Sequence, residues 1–143
     1  MNVPQGDIHD VSVLTDALVK EYDVLVLGTS TWGAGELQDD WYDGVKVLKK
    51  ADLSHKFVAL FGCGDSDSYA DTFCDGIGIL YEDLKASGCT FVGAVDTAGY
   101  TFDSSVAVVN GKFMGLPIDE VNEDSQTDER ITQWVEILKK EIN

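Results

Sequence analysis

The sequence predicts an α/β domain with a parallel sheet, and two features of the chain lead to this prediction. Short apolar runs at residues 24–28, 57–62 and 90–95 each end on or contain a glycine. Short runs that are apolar on both faces are typical of buried strands in a parallel sheet. Amphipathic stretches separate these runs, and strands that alternate with helices at this spacing favour right-handed crossovers.

Each predicted helix is marked by apolar side chains that recur at helical spacing. The three sets are Leu37, Trp41, Val45 and Leu48, then Phe73, Ile77, Leu80 and Leu84, and finally Ile131, Trp134, Val135, Leu138 and Ile142. Gly88 supplies a C-terminal stop after the second set. Because Trp41 and Trp134 lie on apolar helix faces, we expect both rings in the core.

Two parts of the chain do not follow this alternation. Residues 99–126 contain three glycines, a proline and many acids. We interpret them as one sheet strand interrupted by an inserted, partly β loop, with a strand fragment at residues 113–118. Near the N-terminus we expect a weak strand at residues 3–9 and a short helix or ordered loop at residues 11–22. A domain of this kind normally opens with a firmly apolar strand, and none is found here.

Size and charge limit the possible classes of function. Residues 1–143 amount to one domain. Ten Lys and Arg against 26 Asp and Glu give a net charge of −16, which repels nucleic acids and anionic membranes and favours basic partners. No apolar run approaches the roughly 18 residues of a membrane span, and the first ten residues lack the pattern of a signal peptide. We therefore expect a cytoplasmic protein without nucleic-acid or membrane partners.

The cysteines and histidines do not predict a metal site or a disulfide framework. Cys63, Cys74 and Cys89 are odd in number and include no C-x-x-C pair. His9 and His55 lie far apart, without the spacing of metal ligands. We expect reduced thiols, no bound metal and no catalytic residue.

Two loops carry residues suited to binding a ligand. In open α/β sheets, ligands bind beyond the carboxyl ends of the strands, and residues 28–37 and 62–69 follow the first two predicted strands. The first loop holds three hydroxyl residues, three glycines and Trp32, and the second holds Tyr69. Two aromatic loops at adjacent strand ends suggest a flat heteroaromatic ligand between the rings. The alternative is that both rings simply pack as a lid over the core.

The chain resembles the flavodoxin family, in its long-chain type. The matching motifs are T-W-G-x-G-E-L-Q-x-D-W at residues 31–41, G-x-G-D-x-x-x-Y-x-D-x-F at 62–73 and N-G-K-F-x-G-L at 110–116. The resemblance covers residues 23–143 almost continuously. It implies a flavodoxin-like three-layer sandwich with a parallel sheet, whose last strand is interrupted by a long insertion. It also implies a noncovalent FMN that passes single electrons between protein partners.

The resemblance implies a role for each residue of the two loops. Trp32 and Tyr69 would flank the isoalloxazine ring. Thr31, with Thr29 and Ser30 beside it, would lie near the phosphate and the ribityl chain.

The remaining implied contacts are made by backbone and by the second loop. The turn that would face flavin N5 consists of Gly33, Ala34 and Gly35. The pyrimidine edge would meet Cys63, Gly64 and Asp65, with Asp65 near N3.

One departure from the family concerns the phosphate site. Flavodoxins open with a strand, a hydroxyl-rich glycine loop that wraps the FMN phosphate, and a helix. The sequence contains no S/T-x-T-G-x-T pattern, so we expect this first βα unit of about 25 residues to be missing. Its strand would be central, between residues 3–9 and 24–28. A chain start placed too late, a repacked remnant and a partner that supplies the strand are the three explanations, and we take the first as the working one.

The expected function is that of a low-potential one-electron carrier and not of an enzyme. Acids near the two loops oppose the negative charge that reduction adds to a flavin, and they are Glu36, Asp39, Asp40, Asp65, Asp67 and Asp71. Expected partners of the monomer are basic redox proteins, such as an NADP-linked flavodoxin/ferredoxin reductase, and low-potential acceptors. The alternatives are an FMN-dependent quinone or nitro reductase, for which no NAD(P)H fingerprint is present, and a flavin-poor remnant that retains only partner binding.

Overall fold

The computed structural model describes residues 2–142. Its strands are β1 (Val24–Trp32), β2 (Glu36–Leu37), β3 (Phe57–Cys63), β4 (Thr90–Val92), β5 (Val95–Asp96), β6 (Val108–Val109), β7 (Lys112–Phe113) and β8 (Leu116–Ile118). Its α-helices are α1 (Asp16–Lys20), α2 (Asp40–Lys50), α3 (Asp75–Leu84) and α4 (Thr127–Ile142). Within residues 2–142, no helix combines the length and the apolar character needed to cross a membrane.

The main sheet is mostly parallel, as the sequence predicts. Its order is β2-β1-β3-β4, with β8 also paired to β3. Strands β1, β4 and β8 all run parallel to β3, and the short β2 is antiparallel to β1. One edge of β3 is shared, because β4 pairs with its first half (Phe57 to Ala59) and β8 with its second half (Phe61 to Cys63).

A second, three-stranded antiparallel sheet of order β5-β7-β6 lies between β4 and β8 in the chain. The predicted strand at residues 90–95 is therefore too long: it ends at Val92, and Val95 belongs to the second sheet. Gly93 causes the break. Its φ is +86°, and a Cβ at this position would lie only 2.6 Å from the indole nitrogen of Trp134. The fragment predicted at residues 113–118 is likewise two strands, the end of β7 and β8.

Helices cover both faces of the main sheet, which gives three layers. Leu25 and Leu60 pack under α2 and α3 in one core, whereas Ala59 packs under α4 in the other. The two predicted core tryptophans are confirmed as buried. Their indole N–H groups donate to backbone carbonyls, Trp41 to Gly28 at 2.9 Å and Trp134 to Gly93 at 2.8 Å.

Strand β1 departs from the prediction that both of its faces are buried. Leu25 and Leu27 are buried, but Val26 on the opposite face is 40% exposed. Over residues 24–30 the strand pairs with β3 alone, since β2 joins it only at Thr31 and Trp32. Among residues 2–142, no strand occupies the other edge of β1 along this stretch.

The prediction of a weak strand at residues 3–9 is wrong. Gln5–Asp7 forms an exposed 3-10 turn, which follows Pro4 and is tied back to the domain when the Tyr22 hydroxyl donates to Asp7. The short helix predicted within residues 11–22 is confirmed as α1, where Leu18 N donates to the side chain of Thr15. Leu37, expected on a helix, lies in β2 instead.

Candidate functional site

A cleft of about 230 Å³ opens at the carboxyl ends of β1 and β3. It lies where the sequence analysis expects a ligand, because parallel strands end there beside each other. Predicted site residues that line it are Ser30, Thr31, Gly33, Cys63, Gly64, Asp65 and Tyr69. Thr72 and Val121 also line the cleft, and neither was predicted.

The structure places the other four predicted residues outside the lining. Thr29 is buried, and its methyl group lies against Gly76 of α3, so its side chain faces the helix. Trp32 is 45% exposed at the end of β1, opposite Glu36. Ala34 and Gly35 belong to the turn that follows, with Ala34 exposed.

This turn, named here the glycine turn, consists of residues 33–35 between β1 and β2. Gly33 has φ +52° and Gly35 has φ +95°, a left-handed conformation that glycine adopts without a Cβ clash. A Cβ at Gly35 would meet the Asp75 carboxyl at 2.7 Å and the Thr72 side chain at 3.2 Å. The turn thus requires glycine both for its conformation and for its close approach to the start of α3.

Thr31 connects the same wall of the cleft to α3. The backbone N–H of Gly76, in the first turn of the helix, donates to Thr31 Oγ1 at 3.0 Å. A hydroxyl that accepts one bond retains a proton to donate. Thr31 therefore caps the helix and can still donate to a ligand oxygen in the cleft.

The second wall of the cleft is ordered by Asp65. Its Oδ1 accepts from the backbone N–H of Ser68 at 2.9 Å and of Asp67 at 3.1 Å, and from Asn122 Nδ2 at 2.8 Å. These bonds, the Ser68 N–H first, hold the pKa of Asp65 below its ordinary value. This carboxylate shapes the loop that presents Tyr69, whose ring is 53% exposed.

Asp119, which is not among the predicted site residues, holds this loop at the end of β8 through hydrogen bonds. It is fully buried. Its carboxylate accepts from Ser66 N at 3.1 Å, from the Ser66 hydroxyl, and from the backbone N–H groups of Val121 and Asn122. Burial acts to raise the pKa of Asp119, but the Ser66 and Asn122 bonds outweigh it and leave the pKa lowered. An acid directly after an apolar strand was the available signal.

The described lining of the cleft contains no lysine or arginine. Burial, followed by the nearby Glu120, raises the pKa of the Cys63 thiol, which favours its neutral form. Within residues 2–142, no three His, Cys, Asp or Glu side chains are grouped to hold a metal ion. The cleft therefore offers hydroxyls, backbone groups and an aromatic face, without a cation for a phosphate.

A larger cavity of about 350 Å³ lies elsewhere, between residues 95–100 and α4. Its cation, Arg130, stacks 4.0 Å above the Tyr100 ring, pairs with Glu123 at 3.4 Å and donates to the Gly99 carbonyl. Because these partners already satisfy the guanidinium, the smaller cleft at the strand ends is the better candidate for a ligand site.

Comparisons with known proteins point to one family and one fold. The model of the Flavodoxin family matches residues 3–134. Flavodoxin 1 from Azotobacter vinelandii is 47% identical over 124 residues, which are 85% of this chain and 71% of that relative. Flavodoxin from Buchnera aphidicola subsp. Baizongia pistaciae is 43% identical over 140 residues, 96% of this chain and 80% of that relative. The crystal structure of Fusobacterium nucleatum flavodoxin bound to flavin mononucleotide aligns with a TM-score of 0.82 at 35% identity, covering 86% of this chain and 74% of that one.

Proposed function

The chain belongs to the flavodoxin family, and from this premise we propose that it carries single electrons at low potential on an FMN held in the cleft between the glycine turn and Tyr69. It is an electron-transfer protein and not an enzyme. The main observation that supports this placement of FMN is the cleft itself. It opens at the carboxyl ends of two parallel strands and combines the exposed Tyr69 ring with Ser30, Thr31 and the glycine turn.

The residues of the cleft fit the ring and the ribityl chain of FMN. The Tyr69 ring offers a stacking face, which Trp32 would complement from the end of β1. The Ser30 and Thr31 hydroxyls suit the ribityl oxygens, and the backbone of Cys63 and Gly64 suits a polar ring edge. When bound, FMN supplies the one-electron chemistry, and these residues bind and orient it.

The fit does not extend to the phosphate. The cleft of about 230 Å³ is smaller than the roughly 300–1,000 Å³ of most ligand pockets. Its described lining also lacks a basic side chain. We therefore infer that the residues described hold the ring end of FMN more firmly than the phosphate end.

Two finer assignments complete the proposal. Strands β4 and β8 pair with the same edge of β3, and the three-stranded sheet lies between them in the chain. This arrangement supports the long-chain type, in which an insertion interrupts the last strand. The edge of β1 over residues 24–30 and the exposed Val26 support the absence of a first strand–loop–helix unit from this sequence. The missing strand would pair along that edge.

The acidic character supports a low potential and basic partners. Asp65, Asp67 and Asp71 lie in or beside the second wall of the cleft, where their charges oppose further negative charge on the ring. The same charges would steer basic reductases and low-potential acceptors toward it. We propose that the protein acts as a cytoplasmic monomer with such partners.

A comparison of FMN with riboflavin tests the proposed site. Apoprotein is titrated with each flavin, and binding is followed by quenching of flavin fluorescence. We expect both to bind, with FMN favoured only weakly because the described cleft offers no cation to its phosphate. If neither flavin binds, the placement of the ring is wrong. If FMN is strongly preferred, a phosphate site exists. NADPH oxidation by the protein alone would instead indicate a reductase.

A further inference from the structure

Asp75 is a buried acid that the proposed flavin site does not use. It is the first residue of α3, it is 7% exposed, and it lies just outside the lining of the cleft. Within residues 2–142, no Lys, Arg or His forms an ion pair with it. The backbone dipoles at the start of a helix favour a carboxylate, but burial costs free energy unless the group serves a further contact.

The Asp75 carboxylate joins two segments that are distant in the sequence. Its Oδ1 accepts from the backbone N–H of Val106 at 2.9 Å. Its Oδ2 lies only 2.7 Å from the position that a Cβ would take on Gly35. The acid thus holds the loop before β6 on one side and lies directly against the glycine turn on the other.

The neighbours of Asp75 hold the same turn. The Thr72 side chain lies 3.2 Å from the position that a Cβ would take on Gly35. The Gly76 N–H donates to Thr31 Oγ1, just before the turn. The start of α3 therefore contacts the β1–β2 hairpin both before the glycine turn, at Thr31, and within it, at Gly35. The Asp75 carboxylate therefore lies in the space into which Gly35 would move if its backbone conformation changed on this side.

We propose that Asp75 is a positioning residue for the glycine turn, and that through this contact it sets the two one-electron potentials of the bound flavin. The proposal rests on the FMN site proposed above. Reduction makes the flavin ring more electron-rich, so the peptide groups beside it are best arranged differently in each redox state. The freedom of the turn to rearrange is limited by its contact with Asp75, and the negative charge of Asp75 opposes reduction.

The protonation of Asp75 depends on its burial and on its hydrogen bonds to the loop before β6. Burial raises its pKa, while the Val106 N–H and the Ser105 hydroxyl act against that rise. The other titratable groups on the segments packed around it are Glu36, Asp71, Cys74 and Asp103. Burial also raises the pKa of Cys74, which keeps that thiol neutral.

The first test uses the apoprotein and needs no flavin. The amide signals of Gly35 and Val106 are followed by NMR as the pH falls from 7 to 3. We expect the two to titrate together, above the ordinary aspartate pKa of about 3.9. This transition should vanish in Asp75→Asn and persist in Asp71→Asn, which removes an exposed acid from the segment before α3. If Gly35 shows no transition shared with Val106, the link between acid and turn is disproved.

The second test measures the two midpoint potentials of FMN-loaded protein. Asp75→Asn keeps an acceptor for Val106 and removes the charge. We expect it to favour reduced over oxidised FMN by roughly tenfold, the low end of what a neighbouring charge does to an equilibrium, with a smaller effect in Asp71→Asn. Equal potentials in the wild type and Asp75→Asn would overturn the proposal even if the amides titrate together. Failure of FMN to bind the wild type would overturn the flavin site, while the apoprotein titration still decides the contact.

Discussion

The wall of the cleft formed by residues 30–35 is held by close backbone packing against α3, whereas the wall formed by residues 63–69 is held by hydrogen bonds to buried Asp119. In the first wall, Gly35 approaches α3 so closely that a Cβ would fall 2.7 Å from Asp75. In the second, Ser66 is bonded through both its N–H and its hydroxyl to a carboxylate 53 residues further along the chain. The first wall therefore depends on the close approach of a glycine to α3, supported by the Gly76–Thr31 hydrogen bond, and the second depends on a buried carboxylate.

Replacement of Asp119 should produce the largest effect. Asp119→Ala removes the buried carboxylate that accepts from the backbone N–H groups of Ser66 and Asn122, and we expect a loss of roughly 2–4 kcal/mol in the free energy of unfolding. Urea denaturation measures it. The matched control is Asp124→Ala, an exposed acid a few residues away, which should change stability by less than about 0.5 kcal/mol. Equal losses in the two variants would refute the role of Asp119 in holding this wall.

A methyl group on Gly35 tests the first wall. Gly35→Ala adds a Cβ at φ +95° and forces it against Asp75, whereas Gly99→Ala adds one at φ +87° with no atom within 4 Å. We expect about 1–2 kcal/mol from the backbone conformation in both variants, and an additional loss of about 1 kcal/mol or more in Gly35→Ala. Thermal or urea unfolding gives both values. If the two losses are the same, close packing does not hold this wall.

The two walls should respond to acid with opposite signs. The folded pKa of Asp119 is lowered, so its stabilising contribution is present above about pH 3.9 and is lost as the pH falls through the folded pKa. The folded pKa of Asp75 is raised, so its charge destabilises the fold above that pKa, and protonation relieves the cost as the pH falls. In one NMR titration, the Val106 amide should therefore shift at a higher pH than the Ser66 amide. Transitions in the reverse order would contradict the assignment.

The smallest expected effect concerns the Tyr69 ring. Tyr69→Ala should weaken flavin binding by about 0.5–1.5 kcal/mol beyond the loss of buried area, because the stacking face is removed. Tyr42→Ala, which removes a comparably exposed ring on α2, should leave flavin affinity unchanged. Fluorescence titration with FMN compares the two variants. An unchanged affinity in Tyr69→Ala would remove this residue from the site.

The elements that bury apolar side chains could be predicted from the sequence, because burial leaves a periodic pattern. The cores of β1, β3, α2, α3 and α4 follow from that pattern. The turn at Gln5–Asp7 does not, since an exposed segment with two polar residues carries no periodic signal. The exposure of Val26 could not be predicted either, because it depends on what covers the strand and not on the strand itself.

The candidate site divides in the same way. Glycines, hydroxyls and an aromatic residue at the end of a strand are local features, and five of the predicted residues that line the cleft are of these kinds. Asp119 and Asp75 are fixed by partners 53 and 31 residues away. Such contacts exist only in three dimensions. In the sequence, Asp119 and Asp75 are two of 26 acidic residues, and nothing local distinguishes them from the others.

The edge of β1 over residues 24–30, which has no partner strand among residues 2–142, has a consequence for how copies of this sequence behave toward one another in solution. An edge that exposes free N–H and C=O groups beside apolar side chains is a template for intermolecular strand pairing and aggregation. The net charge of −16 keeps copies apart through mutual repulsion. Salt screens that repulsion, and acid removes it near the isoelectric point of about 4.1. The acidic composition therefore also opposes aggregation through the exposed edge of β1.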